Sequence, residues 1–275
     1  MSRVLARLGL DPQRDRETPR YTIAFTAVVC VVCALLVSVA AVSLQPRQQA
    51  QARLYMEKNV LVAAALIAPL APMAAAEVDA VFARDLKVRL VELASGELLA
   101  PQARDARAFD MRAARNDPQL SQPAPANDAG IRRLPRYGPV YYVLKDGQVD
   151  QVVLAVEGPG MWGTIYGFVA LAADGNTVRG VTFYEHRETP GLGGEIGNPQ
   201  WQALWRGRQV FDDQWNARLT VIKGRADDPQ ADPLRVDGIT GATITNVAVT
   251  RLIQFWLGPH GYGPFLARLR AGARP

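Results

Sequence analysis

The chain has 275 residues, 49% hydrophobic and 21% charged, with a formal net charge of +5. That is enough for one membrane span and one globular domain of roughly 150 to 200 residues. Its first twenty residues hold five arginines against three acidic side chains, so the remainder is only mildly basic; no Lys/Arg cluster interleaved with aromatics marks a nucleic-acid surface.

Met1 to Arg20 reads as a short polar tail. Thr22 to Leu44 carries no charged residue and has the length of a single bilayer span, about 20 residues, so residues 21–44 are expected to form a transmembrane helix. A secretory signal has a shorter apolar core of about 7 to 15 residues, although the small residues Ala40 to Ser43 resemble a cleavage site. The N-terminal flank is the more basic. This predicts an N-terminus in the cytoplasm and a large domain outside it, held by a single pass through the membrane. Cys30 and Cys33 are the only cysteines, so the rest of the chain has no disulfide framework and no cysteine zinc site. Three apart on one helix face, they read as small apolar fillers, with a metal or a partner's cysteines as the alternative. His186 and His260 are the only histidines, which leaves metal ligation poorly supported.

Gln45 to Ala68 continues as a helix, and residues 45–100 form a membrane-proximal helix and first strand. Val60 to Ala76 is uncharged but interrupted by Pro69 and Pro72, so it is not a second span. Leu86 to Leu93 alternates apolar residues with Lys87 and Arg89, a strand pattern. Residues 101–139 contain Pro118, Pro123, Pro125 and Pro135 among polar residues and read as an irregular segment.

Residues 140–260 read as the main domain. Val140 to Leu144 and Val149 to Val156 flank Asp146-Gly147, a hairpin signal. Glu157 to Gly163 is a glycine-rich loop, and Ile165 to Leu171 and Val178 to Tyr184 form a second hairpin around Asp174-Gly175-Asn176. A turn-rich loop follows from His186 to Gly194, then a short helix from Pro199 to Trp205 and a strand from Leu219 to Lys223. Residues 261–275 are a short amphipathic tail. The expected fold class is α+β: a hairpin-rich antiparallel sheet with helices on one side, anchored by one N-terminal helix.

The stretch Asp237-Gly238-Ile239-Thr240-Gly241-Ala242-Thr243-Ile244-Thr245-Asn246 carries the chemistry. Ile244, Ala248, Leu252, Phe255 and Trp256 recur at helical spacing. Thr240 or Thr243 therefore falls where a helix starts and can serve as its N-cap. A helix N-terminus offers free N–H groups and partial positive charge to a phosphate, and a threonine hydroxyl there can carry a phosphoester. The plainer reading is a capped helix after a glycine turn.

Asp237 to Thr243 resembles the flavinylation motif of the FMN-binding domains in the sodium-pumping NADH:quinone reductase and the related Rnf complex. The resemblance implies FMN held covalently through its phosphate on Thr243. Thr240 stands where the family often has Ser, and Asn246 and Val247 depart from its Ser-rich continuation. His186-Arg187-Glu188-Thr189-Pro190-Gly191-Leu192-Gly193 resembles a second family segment, and Gly160-Met161-Trp162 resembles its Gly-Leu-Trp. Three motifs in order over about residues 140 to 257, after a single span and a Gln-rich helix, are most similar to the reductase's C subunit.

That resemblance implies a membrane-anchored electron carrier within a multi-subunit complex that oxidises NADH, reduces ubiquinone and transports sodium. Thr240, Gly241 and Ala242 are expected to shape the attachment turn. Glu188 and Thr189 are expected to hydrogen-bond the flavin's polar edge or ribityl chain, with Gly193 beside them; Leu192 packs on the ring and Trp162 shields it. The chain has no Walker loop and no acidic metal cluster, so it is not expected to load its own cofactor. The family implies a separate Mg-dependent flavin transferase that uses FAD and acts outside the cytoplasm. No ionisable residue lies within Thr22 to Leu44, so sodium movement is assigned to the assembled complex. The other readings are an Rnf-type component and a membrane-anchored assembly domain without a redox cofactor.

Overall fold

The structure is a computed structural model that describes residues 18–69 and 71–272. Most of the predicted N-terminal tail lies outside the described residues. The chain divides into two units, residues 1–55 and 56–275.

Helix α1 runs Pro19–Ala63, 45 residues. It contains the predicted span and is the one helix among the described residues long and apolar enough to cross a membrane, with an 18-residue window of mean hydropathy 2.9. Cys30 and Cys33 are free and exposed on it. The sequence suggests a helix from Gln45 to Ala68 after the span; the two are one helix that passes through Pro46 and stops at Ala63. A proline inside a helix removes one hydrogen bond and crowds the turn before it, and here the helix continues regardless.

The second unit is built on a five-stranded antiparallel sheet in the order β1-β4-β5-β6-β7. Its strands are β1 Leu86–Glu92, β4 Tyr137–Lys145, β5 Gln148–Pro159, β6 Thr164–Ala172 and β7 Val178–Glu185. The two expected hairpins are present. Asp146 and Gly147 both take positive φ, 52° and 77°, as a tight hairpin turn with matching twist demands. The glycine-rich loop is shorter than its sequence suggests. Glu157, Gly158 and Pro159 complete β5, and only Gly160 to Gly163 turn, closed by Gly160 N–H on the Gly163 carbonyl at 2.7 Å.

Register explains why β5 reads as an unbroken apolar run. Val140, Leu154, Val169 and Val181 are successive partners on one face; Tyr141, Val153, Ala170 and Gly180 are successive partners on the other. Both faces are covered, which corrects the expectation of helices on one side. The first face packs under α5 (Thr243–Leu257) and α6 (Gly263–Arg270), with Trp201 and Trp205 against Phe183. The second face receives the end of α1 and helix α2 (Ala75–Asp85). There Gln151 Nε2 donates to the Ala64 carbonyl at 2.9 Å, and the Phe82 and Tyr141 rings meet edge to face. Arg107 adds a clamp on that side, reaching Glu57 at 2.9 Å and Asp79 at 2.6 Å with its guanidinium over the Phe82 ring.

Residues 101–139 hold more order than their prolines suggest. Helix α3 (Met111–Asn116) is capped by the Asp110 carboxylate, and β2 (Ser121–Pro123) pairs with β3 (Arg133–Pro135). Phe109, Met111, Ile131 and Leu134 are buried in the main core. Elements this short carry no readable period; individual side-chain anchors hold them, such as Arg115 on the buried Glu157 carboxylate at 2.7 Å. Burial pushes the Glu157 carboxyl up, opposed by Arg115 and Arg112. Helix α4 (Pro199–Ala203) starts at the Asn198 cap. The strand expected from Leu219 to Lys223 is only β8, Thr220–Val221, paired in parallel with β9, Arg235–Val236.

Gly180 sits where β7 meets the end of α1, and a Cβ added there would strike the Ala63 carbonyl oxygen. Gly180→Ala is expected to destabilise the extramembrane unit by about 1–3 kcal/mol, the usual range for overpacking. Thermal melts of the full chain in detergent would show a lowered midpoint; an unchanged midpoint would mean this contact yields freely.

Candidate functional site

Three segments remote in sequence come together at one end of the sheet. They are the Gly160–Gly163 turn between β5 and β6, the loop from His186 to Gly194, and the Asp237–Ala242 loop that leads into α5.

The third segment is fixed from behind. Asn246, one turn into α5 and only 8% exposed, folds back on Ile239: its Nδ2 donates to the Ile239 carbonyl at 3.0 Å and its Oδ1 accepts the Ile239 N–H at 3.2 Å. The Asp237 carbonyl accepts from Trp201 Nε1 at 2.9 Å, and its carboxylate accepts from Ala226 N–H. Gly241 takes φ +76°, a left-handed turn that suits glycine, and places Leu192 Cδ2 within 3.0 Å of where a Cβ would stand. The backbone between these anchors then enters the helix.

Neither threonine caps that helix. The N-cap is Ala242, without a side-chain hydrogen bond, and Thr243 is the first helical residue. This corrects the expectation of a threonine cap. The N-cap side chain accepts none of the first-turn N–H groups, an arrangement that suits a phosphate. Thr240, Gly241 and Thr243 are exposed, while Ala242 is 6% exposed. The apolar stripe of α5 also differs from its sequence reading. Ile244 is 57% exposed, and Thr245 and Asn246 take the buried positions of the first turn.

The middle loop turns on the Thr189 carbonyl, which accepts N–H from Leu192 at 3.1 Å and Gly194 at 2.9 Å. Thr189 and Leu192 are exposed and Gly193 is buried. Glu188 lies behind them, 4% exposed. Its Oε1 accepts from the Met161 and Trp162 N–H groups at 2.9 and 3.1 Å; its Oε2 accepts from Thr245 Oγ1 at 2.5 Å. Next to it, His186 keeps a buried Nδ1 without a partner, and burial lowers its pKa from 6.5, with the Glu188 charge opposing.

Met161 and Trp162 in the first segment, Leu192 in the second, and Ile244 and Val247 on the α5 that the third leads into are exposed apolar side chains. Trp162, at 62% exposure, is not core. An apolar side chain in a turn or on an apolar helix, such as Met161, Ile244 or Val247, reads as core until burial is known. The cavities of about 530 Å³ beside β1 and about 420 Å³ beside Arg115 and Arg132 are not lined by Thr243.

An exposed hydroxyl on an uncapped helix N-terminus, with Leu192 against the Gly241 turn before it and exposed Ile244 and Val247 on the same helix, fits a phosphate joined to a large flat ring. Residues 160–258 match the family described as FMN-binding domain, so the class of protein is a flavin-carrying domain. Over the whole chain the likeness is more specific. The C subunit of the Na(+)-translocating NADH-quinone reductase from Yersinia pestis is 44% identical over 269 residues, covering 97% of this chain and 98% of that one. Its counterpart from Pseudomonas aeruginosa is 42% identical over 261 residues, covering 94% and 98%. The crystal structure of Shewanella oneidensis NqrC superposes with a TM-score of 0.73 at 34% identity, covering 80% of this chain and 98% of that one. The crystal structure of the Parabacteroides distasonis counterpart gives 0.63 at 25% identity, over 84% and 98%. The chain belongs to the NqrC family, the C subunits of the Na(+)-translocating NADH-quinone reductases.

Asn246→Ala would remove both side-chain hydrogen bonds to Ile239 and leave its N–H unpartnered, while its carbonyl keeps the Ala242 N–H at 3.3 Å. The expected loss is about 1–3 kcal/mol, read as a lower unfolding midpoint together with faster amide exchange in residues 237–242. A variant with native exchange in that loop would contradict the clamp.

Proposed function

We propose that this chain is the membrane-anchored electron carrier of its complex and holds FMN covalently, through the FMN phosphate, on the Thr243 hydroxyl. The observation that carries the reading is the position of Thr243: exposed, first in α5, on a helix start that no side chain caps. The hydroxyl supplies the point of attachment. The neighbouring N–H groups and the helix dipole stabilise a phosphodiester's negative charge by about 0.3–1 kcal/mol at such a surface. Gly241, at positive φ, keeps the approach to the backbone clear. Leu192, Trp162, Ile244 and Val247 offer the apolar surface against which a ring would rest, and Thr189 and Thr240 offer hydroxyls near it. Electron transfer itself is the chemistry the flavin supplies when bound; the chain fixes where it happens.

A covalent link suits a site built on open surface, since a cofactor there has little buried area to hold it. Loading belongs to a separate flavin transferase that uses FAD and Mg2+, as no nucleotide-hydrolysing motif occurs in the chain. The remaining subunits of the reductase are its partners, and of the two complexes that the motifs resemble, the relatives fall on the sodium-translocating reductase. The arginine-rich N-terminal flank supports a single pass through the inner membrane with the flavin domain in the periplasm. An alkaline phosphatase fused after Pro275 would then be active; an inactive fusion beside an active green fluorescent one would reverse the topology.

In-gel flavin fluorescence after denaturing electrophoresis tests the attachment. With the transferase co-expressed, wild type is expected to fluoresce and Thr243→Ala to be dark, a loss of essentially all the signal. Persisting fluorescence in the variant would move the link to another residue. A dark wild type, beside a labelled control substrate, would remove covalent flavin from this chain.

A further inference from the structure

We propose that Glu188 is a positioning residue for the flavin site: buried behind it, its carboxylate holds the Trp162 turn and the first turn of α5 in fixed register without touching the flavin. The inference rests on the reading of Thr243 above and replaces the role the sequence suggested for Glu188, a direct contact with the flavin's polar edge.

The geometry separates the two roles. A residue that contacts a cofactor on this surface has to reach the surface, as Thr189 and Leu192 on the same loop do; Glu188 is 4% exposed. Its oxygens are also engaged, Oε1 by the Met161 and Trp162 N–H groups and Oε2 by Thr245 Oγ1. A carboxylate has about four acceptor sites, and three are taken by protein donors from the two flanking segments.

The surroundings are shaped to admit this carboxylate. A Cβ at Gly160 would stand 2.6 Å from Oε1, and one at Gly193 would stand 3.0 Å from Oε2 and strike Thr245 Oγ1. Glycine at both positions lets three chain segments close on the acid. Thr245 is two residues beyond Thr243, so the side chain that ties α5 to Glu188 lies in the same helical turn as the attachment hydroxyl. That turn has no cap of its own. Glu188 is what joins it by side chain to the loop that displays Trp162 and Met161. Loss of the acid would leave the sheet and core intact while freeing two part-buried amides and the register between ring surface and hydroxyl, and displacements near 1 Å at a reacting group have large kinetic effects.

The test uses the full chain as wild type, E188A, E188Q and T245V, in two readouts. The first needs no flavin: amide hydrogen exchange of the unloaded chain in detergent. E188A is expected to speed exchange in residues 160–163 and 243–246 and to leave β5 protected; native protection in both segments would overturn the proposal. The second is the rate of labelling by flavin transferase with FAD and Mg2+. E188A is expected to label roughly tenfold more slowly or worse, and T245V to fall between it and wild type. E188Q should recover most of the rate, because an amide oxygen can accept both N–H groups while the Thr245 hydroxyl turns to accept from the amide nitrogen.

Wild-type labelling in E188A would overturn the proposal. An E188Q as slow as E188A would too, since it would show that charge rather than hydrogen-bond geometry is needed. If E188A does not fold, T245V decides, and wild-type labelling and exchange in that variant would sink the idea. A wild type that stays dark beside a labelled control removes the Thr243 reading instead, and the exchange experiment then judges Glu188 by itself.

Discussion

A buried carboxylate with three donors is the constraint on which the site's geometry depends. Burying an acid is expensive unless hydrogen bonds replace its water, and Glu188 receives its replacements from segments 26 and 57 positions away. The acid, the turn and the helix start are therefore stable only together. Each donor segment is in turn held by the scaffold: the turn by the β5–β6 ladder, the helix by burial of Val249, Leu252, Ile253 and Trp256. Trp256 closes the circuit, donating from Nε1 to the Glu157 carbonyl at 2.6 Å, at the β5 end that feeds the turn. A rigid sheet covered on both faces thus delivers an exposed, precise surface.

The design matches what an anchored carrier requires. An apolar helix tethers the chain, so the carrier stays at the membrane, and a covalently held flavin would not diffuse from a surface that gives it little enclosure.

Much of this was legible in the sequence where local chemistry decides. Asp146-Gly147 and Asp174-Gly175 announce their hairpins because the turns need those residues, and Asp237 to Thr243 marks a candidate site because small residues and hydroxyls cluster just before a helix. Other parts depend on distant partners and leave no local trace. The helix that runs on past the span stops at Ala63, short of Ala68. Residues 101–139 look irregular because their order comes from single anchors such as Arg115 and the buried Phe109. Ile244 reads as core by period, yet Thr245 and Asn246 occupy the inner positions because their partners, Glu188 and Ile239, wait there. Glu188 was visible as a candidate, but only burial distinguishes a residue that touches a ligand from one that holds the residues that do.

The most direct test of the account is tandem mass spectrometry of the chain purified from cells that express the transferase. Cleavage after Arg235 and Arg251 gives one peptide, Val236 to Arg251, that contains Thr240, Thr243, Thr245 and Thr250. The account predicts a flavin phosphate on that peptide with fragment ions that place it on Thr243. A flavin on Thr240 or Thr245, or an unmodified peptide from protein that had met an active transferase, would contradict it.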